Sequence, residues 1–263
     1  AYSQSLTATK QGEVMHRYIL GVYALYEKIL DKYPELLIES CAGGGGRFDP
    51  GLLYYAPQTW ASDDTDAVER LKIQYGTSMV YPLSANGSHV SAVPNHQVAR
   101  MTSLKMRSEV AAFGTFGYEL DSTKLSEKEK VIVREQVAQV KRWQPLIHQG
   151  DFYRLESPFE SNTTAWMVVA SDKSEALVGV YHVLAKPNPA YERILLEGLD
   201  TDALYQIDGA ERARYGDDLM QIGLVLGGNY IGRAQDYWGR SMPGDFSSQL
   251  YHLQKIDKSE DDG

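Results

Sequence analysis

The chain has 263 residues, 43% of them hydrophobic and 23% charged, a balance that suits one large globular domain or two ordinary ones. Its formal charge is −9 and it carries no cluster of Lys and Arg, which argues against a nucleic-acid partner, whose phosphates need a basic footprint. The single cysteine, Cys41, excludes an intrachain disulfide and favours a reducing compartment; no apolar run reaches the ~18 residues that would suggest a membrane span.

The opening AYSQSLTATKQGEV has no initiator Met and none of the charged-then-apolar character of a signal peptide. It reads as the start of a fragment. From Gly12 to Tyr33 the apolar residues Met15, Ile19, Val22, Tyr26, Ile29 and Tyr33 follow steps of four and three, one helical face, until Pro34 ends the run. A strand is expected over Leu36 to Ser40, then a loop from Cys41 to Pro50, then a second strand end at Trp60 to Asp63. Asp66 with Glu69 reads as a helix start, with Val68, Leu71 and Tyr75 inward and Gly76 as the stop.

Met79 to Leu83 is expected as a third strand, a helix falls within Gln97 to Ala112, and Phe113 to Leu120 holds a fourth strand. Ser126 and Glu129 form a capping box that opens a helix with Val133, Val137, Val140 and Ile147 on one face, closed by Gly150. Four strand–helix units predict an α/β region with a parallel sheet over residues 1–150. A full eight-stranded barrel takes ~250 residues; the alternation here stops near residue 150, so half a barrel with exposed edges is expected.

The second half changes to β. Thr164 to Ala170, the polar turn 171–175 and Ala176 to Leu184 make a hairpin, and short strands fit Tyr191 to Glu197, Leu204 to Ile207 and Gln221 to Leu226. This predicts an antiparallel β-sandwich or open β-domain over 151–256, followed by an acidic, disordered tail at 257–263.

Two segments could carry chemistry. Cys41 to Pro50 contains four consecutive glycines, which let the backbone approach a ligand closely. It lacks the GxxxxGK[ST] pattern of a phosphate loop, and glycine count alone fits a flexible turn equally well. The second segment, Thr59-Trp60-Ala61-Ser62-Asp63-Asp64-Thr65-Asp66, sets three carboxylates beside a Trp at a strand end, which suits acid–base work or a hard cation. Calcium-loop spacing is absent, and Asp66 reads more simply as a helix cap. The six histidines show no metal-ligand spacing, so no metal is expected, and the 18 tyrosines fit packing as well as sugar stacking. Asn95-His96 could line a barrel mouth or serve structure alone.

The run SCAGGGGRFDPGLLYYAPQTWASDDTDAVERLKIQYGTS resembles the signature of family 36 glycoside hydrolases, chiefly bacterial α-galactosidases. The resemblance continues through VYPLSANGSHVSAVPNHQ and FGYELD and persists at DFYRL; Ala42 and Ala61 depart from the usual Ser and Thr. It implies the C-terminal half of a (β/α)8 TIM barrel plus a C-terminal β-domain, and retaining hydrolysis of terminal α-galactosyl groups of melibiose- and raffinose-type sugars. It further implies Asp63 as the general acid/base, Cys41 and Gly43 as galactose-binding residues, and Trp60 as an aromatic near the pocket. The nucleophile's KWDMN motif is absent from these 263 residues, which implies that the attacking carboxylate lies upstream. No cofactor, a cytoplasmic location and a homo-oligomer of the full-length protein are the accompanying expectations. The alternatives are a galactosyl transferase of the raffinose-synthase kind and a non-catalytic sugar-binding or structural fragment.

Overall fold

The computed structural model describes residues 2–186, 192–226 and 244–256. The acidic tail at 257–263 lies outside the described residues. The chain divides into two compact units, Ala1–Asp63 and Asp64–Gly263.

In the first unit, a short 3-10 helix (Ala8–Glu13) leads into α1 (Val14–Lys32), within the span that the apolar spacing predicts. Ile19, Val22, Tyr26 and Ile29 of the expected face are half-buried, but Met15 and Tyr33 are exposed and no residue of α1 is fully buried. The expected first strand shrinks to β1 (Glu39–Ser40), and Leu36 and Leu37 before it are exposed. Next comes α2 (Pro50–Tyr55), which the loop reading missed: Asp49 caps it by accepting a hydrogen bond from the Leu52 N–H, and Pro50 sits at its first turn, where its missing N–H costs nothing. β2 (Gln58–Thr59) then pairs with β1 in parallel, Glu39 opposite Gln58 and Ser40 opposite Thr59.

The second unit begins at α3 (Ala67–Thr77). Asp66 caps it as expected, accepting from the Val68 and Glu69 N–H groups, with Val68 and Leu71 buried. Gly76 does not stop the helix. The coiling continues past it through Ser78 N–H to Gln74, Val80 N–H to Thr77 and Tyr81 N–H to Thr77 bonds. The third strand expected at Met79–Leu83 is therefore absent: Met79 and Val80 are apolar but lie in turns, exposed. The strand is β3 (Gly87–Ser91), whose buried Ser88 and Ser91 hid it from a search for apolar runs.

α4 (Leu104–Ala111), β4 (Thr115–Glu119) and α5 (Glu127–Gln149) fall where the sequence puts them. β3 and β4 pair in parallel, from Gly87 opposite Thr115 to Ser91 opposite Glu119. The Ser126–Glu129 capping box is formed, and the Ser126 hydroxyl and N–H both donate to the Glu129 carboxylate, at 2.7 and 2.8 Å, which holds it below the usual carboxylate range.

The β region comprises β5 (Asp151–Glu156), β6 (Thr163–Val169), β7 (Glu175–His182), β8 (Arg193–Ile194), β9 (Leu204–Ile207), β10 (Arg214–Tyr215), β11 (Leu224–Val225) and β12 (Ser247–Ile256), with α6 (Gly216–Gln221) after β10. Six strands form one antiparallel sheet in the order β10-β9-β12-β7-β6-β5, and β8 pairs with β11 separately. The β6–β7 hairpin and β9 match expectation. β8 and β11 are shorter than their predicted spans, while β5, β10, α6 and the ten-residue β12 were not foreseen as elements.

All seven residues of β6 are buried, although the sequence alternates as if one face met water. Both faces are covered. Trp166, Val168, Leu177 and Tyr181 pack with Val110, Phe113, Trp143 and Ile147 on the helical side. Ala165, Met167, Val169 and Val178 pack with Ile194, Leu196, Leu219 and Leu224 on the other. Trp166 is the centre of an aromatic group, with Tyr181 at 5.0 Å, Phe113 at 5.7 Å and Phe152 at 6.3 Å between ring centroids, separations at which offset and edge-on contacts are favourable.

Candidate functional site: the glycine loop and the Asp63 strand end

The first unit brings the glycine run and the strand end together. β1 and β2 lie side by side, and their link continues as the Trp60 N–H donates to the Ser40 carbonyl at 2.9 Å and Thr59 Oγ1 donates to the same oxygen at 3.0 Å. The two segments leaving these strands, residues 41–50 and 60–63, therefore start as neighbours.

The glycines allow those segments to touch. Gly44 has φ +72°, and a Cβ there would lie 2.6 Å from the Ser62 Cα and 2.9 Å from the Asp63 nitrogen. A Cβ on Gly45 would meet the Ala61 carbonyl oxygen at 2.7 Å, and one on Gly46 the Ala42 oxygen at 2.6 Å. Each obstacle is backbone, so only glycine permits this approach. Gly43 differs: its φ of +59° also favours glycine, but nothing stands within 4 Å of its absent side chain.

The loop's own bonds are the Ala42 N–H to the Gly44 carbonyl at 2.8 Å and the Phe48 N–H to the Gly45 carbonyl at 3.0 Å. Two side chains missed by the sequence reading tie it to α1. The Tyr23 hydroxyl donates to Asp49 at 2.6 Å, which with burial and the carboxylate charge pushes the phenol up to about 12. Arg47 donates through Nη1 to the Tyr18 hydroxyl and through Nη2 to the Cys41 carbonyl, each at 3.0 Å. Asp49-Pro50 was a legible signal, a cap followed by a first-turn proline. Nothing in the pattern of α1 marked Tyr18 and Tyr23 as partners.

Cys41, Gly43 and Asp63 are exposed, whereas Trp60 is 7% exposed, with little of its ring left to stack on a ligand.

In the second unit, the rest of the acidic run is structural. Asp64 accepts from the Asp66 N–H at 2.9 Å, and its carbonyl accepts from Arg70 Nε at 2.6 Å. Asp66 is 1% exposed and pairs with Arg100 besides capping α3. Asn95 is buried and donates to Thr65 Oγ1 at 3.1 Å while accepting from the Gln97 and Val98 N–H groups, a structural role; His96 is exposed. Among the described residues no group of three or more His, Cys, Asp and Glu could hold a metal ion, and no helix is long and apolar enough to cross a membrane.

Comparison with known proteins gives one family over nearly all of the chain. The Melibiase family matches residues 1–150, and the glycosyl hydrolase family 36 C-terminal domain matches residues 163–253. The chain is 56% identical over 224 residues, 85% of its length, to α-galactosidase AgaA of Geobacillus stearothermophilus, covering 31% of that protein. It is 46% identical over 255 residues, 97% of its length, to α-galactosidase 1 of Pediococcus pentosaceus, covering 33% of it.

A crystal structure of a variant of the Geobacillus AgaA enzyme in complex with raffinose superposes with a TM-score of 0.88 at 50% identity over 97% of this chain and 34% of that one. The α-galactosidase of Lactobacillus brevis gives 0.89 at 47% identity, over 98% and 34%. The chain thus spans about a third of the length of the relatives it matches. The chain belongs to glycoside hydrolase family 36, with a melibiase segment followed by that family's C-terminal domain.

Proposed function

We propose that this chain supplies the general acid/base, Asp63, of a retaining α-galactosidase whose attacking carboxylate lies outside these 263 residues. Residues 1–150 are then the second half of a (β/α)8 barrel, and 151–256 are the β-domain that follows it. The observation that carries the reading is the contact of the glycine loop with the Ser62–Asp63 backbone, which brings the main chain of the exposed Asp63 beside Gly44. The relatives' names support the substrate class, and raffinose is the sugar bound by one of them.

The chemistry assigns each carboxyl group one task at a time. Retaining hydrolysis needs two of them, ~5–5.5 Å apart, one attacking the anomeric carbon while the other protonates the departing oxygen. Asp63 gives its proton to that oxygen, then takes one from the water that releases the galactosyl group. The donor must be held protonated near working pH. Cys41 and Gly43 face the galactose ring, and Trp60, an aromatic near the pocket, packs into the protein beneath it.

In the full-length enzyme, Asp63→Asn is expected to slow melibiose and raffinose hydrolysis by about 10²–10⁴, the usual worth of a general acid. It should slow release of p-nitrophenol from p-nitrophenyl α-galactoside far less, because that leaving group departs without a proton. Equal losses on both substrates would refute the donor role.

A further inference from the structure

The glycine loop has a problem that its own sequence cannot solve. Gly43 and Gly44 hold left-handed conformations and four glycines stand in a row, so the free segment loses more backbone freedom on ordering than any other stretch of equal length. One flank is set by contact with the backbone of Ala61 to Asp63. The other flank, where Cys41 and Gly43 are exposed, needs a different restraint.

Arg47 provides one. Its Nη2 reaches back across the five residues that separate it from Cys41 and donates to that residue's carbonyl at 3.0 Å, while Nη1 donates to Tyr18 Oη at 3.0 Å. A guanidinium can do both because its donors diverge from one rigid plane; a lysine ammonium is a single point on a flexible stem. The carbonyl belongs to the peptide plane joining Cys41 to Ala42, so holding it fixes the plane from which the Cys41 side chain projects and through which the chain reaches Gly43. The phenol on α1 stops the guanidinium from swinging away.

We propose that Arg47 is a positioning residue for galactose binding, acting through the Cys41 carbonyl and steadied by Tyr18. This rests on the assignment of Cys41 and Gly43 to the galactose pocket. It predicts a loss in affinity rather than in chemistry, since Arg47 is given no proton to move and no contact with the reacting atoms.

The test uses the full-length enzyme and D-galactose as the probe, titrated directly by calorimetry alongside kinetics on p-nitrophenyl α-galactoside. Arg47→Ala is expected to weaken galactose binding and raise KM about tenfold, the scale of one charge-assisted hydrogen bond, with kcat changed less than about threefold. Tyr18→Phe should move the same two constants in the same direction by about two- to threefold, with thermal stability unchanged. Arg47→Lys should recover only part of the affinity. Should Arg47→Ala fail to fold, Tyr18→Phe decides.

Galactose affinity within twofold of wild type in Arg47→Ala, unchanged affinity in Tyr18→Phe, or kcat falling as far as kcat/KM, would overturn the proposal. Full restoration by lysine would do so as well, because charge alone would then suffice. Asp63→Asn assayed beside them separates the two readings. Wild-type turnover of raffinose in that variant would sink the acid assignment, while the galactose titration would still report on Arg47.

Discussion

At the scale of single residues, the glycine run is four positions with different reasons for being glycine. Gly43 needs a left-handed backbone and nothing else, so Gly43→Ala should cost about 1–2 kcal/mol of stability. Gly44 needs the same backbone and also lies where a methyl group would strike the Ser62 main chain, so Gly44→Ala should cost about 3 kcal/mol or more. Urea unfolding of the two variants checks this, and equal losses would show that strand end and loop are not in contact in solution. The sequence showed four equivalent letters; the difference between them depends on which atoms approach from segment 61–63, a tertiary fact with no local signature. Asp63, Asp64 and Asp66 are likewise alike on paper. Their separation into an exposed carboxylate, a turn acceptor and a buried cap follows from hydrogen-bond geometry, and only the cap was legible in advance, because Glu69 three residues later marks it.

At the scale of elements, caps and periodicity were the dependable signals. α3, α4 and α5 lie where Asp66, the expected span 97–112 and the Ser126 box place them. The errors arose where apolar content was taken as burial. Met79 and Val80 are apolar and exposed, Ser88 and Ser91 of β3 are polar and buried, and the hydroxyls of those two serines find partners, Ser88 Oγ on Gln74 at 2.8 Å and Ser91 Oγ on the Thr65 carbonyl at 3.0 Å. Hydroxyl-bearing strands are invisible to hydropathy when their partners lie 14 and 26 residues away.

The tie between α1 and α2 makes a prediction in alkali. The Tyr23 phenol donates to Asp49, so its ionisation is pushed from the ordinary 10 to about 12. A raised pKa in the folded state favours folding below pH 10, and that contribution is lost as pH climbs through 12. The ultraviolet tyrosinate difference between wild type and Tyr23→Phe should therefore show one phenol ionising near 12. A step near 10 would mean that the helix and the cap of α2 are not joined in solution.

At the scale of the whole molecule, the sheet of the second unit depends on a strand far from its neighbours in sequence. β12 runs between β7 and β9, pairing eight residues with β7 from Ser247 opposite His182 to Gln254 opposite Glu175, and four with β9. Deleting 247–256 exposes two ladders at once, and the product is expected to be insoluble or rapidly proteolysed. Soluble, protease-resistant protein lacking those residues would show that the sheet stands without its centre. Size and alternation made a β region legible, but not this order: the exposed Gln249 and Gln254 of β12 dilute its strand pattern. The partner of a central strand is chosen by topology, which no window of sequence contains.

The position of β12 also sets a timetable. A ribosome makes the outer strands of this sheet first and the middle one last, so β7 and β9 wait, with open edges, through the translation of everything between Ile207 and Ser247. During that interval the nascent chain can recruit a stray strand from another polypeptide in place of its own. A pause just downstream of this segment would lengthen its exposure to chaperones and proteases, making the codons that encode the middle strand and those after it a control point for yield.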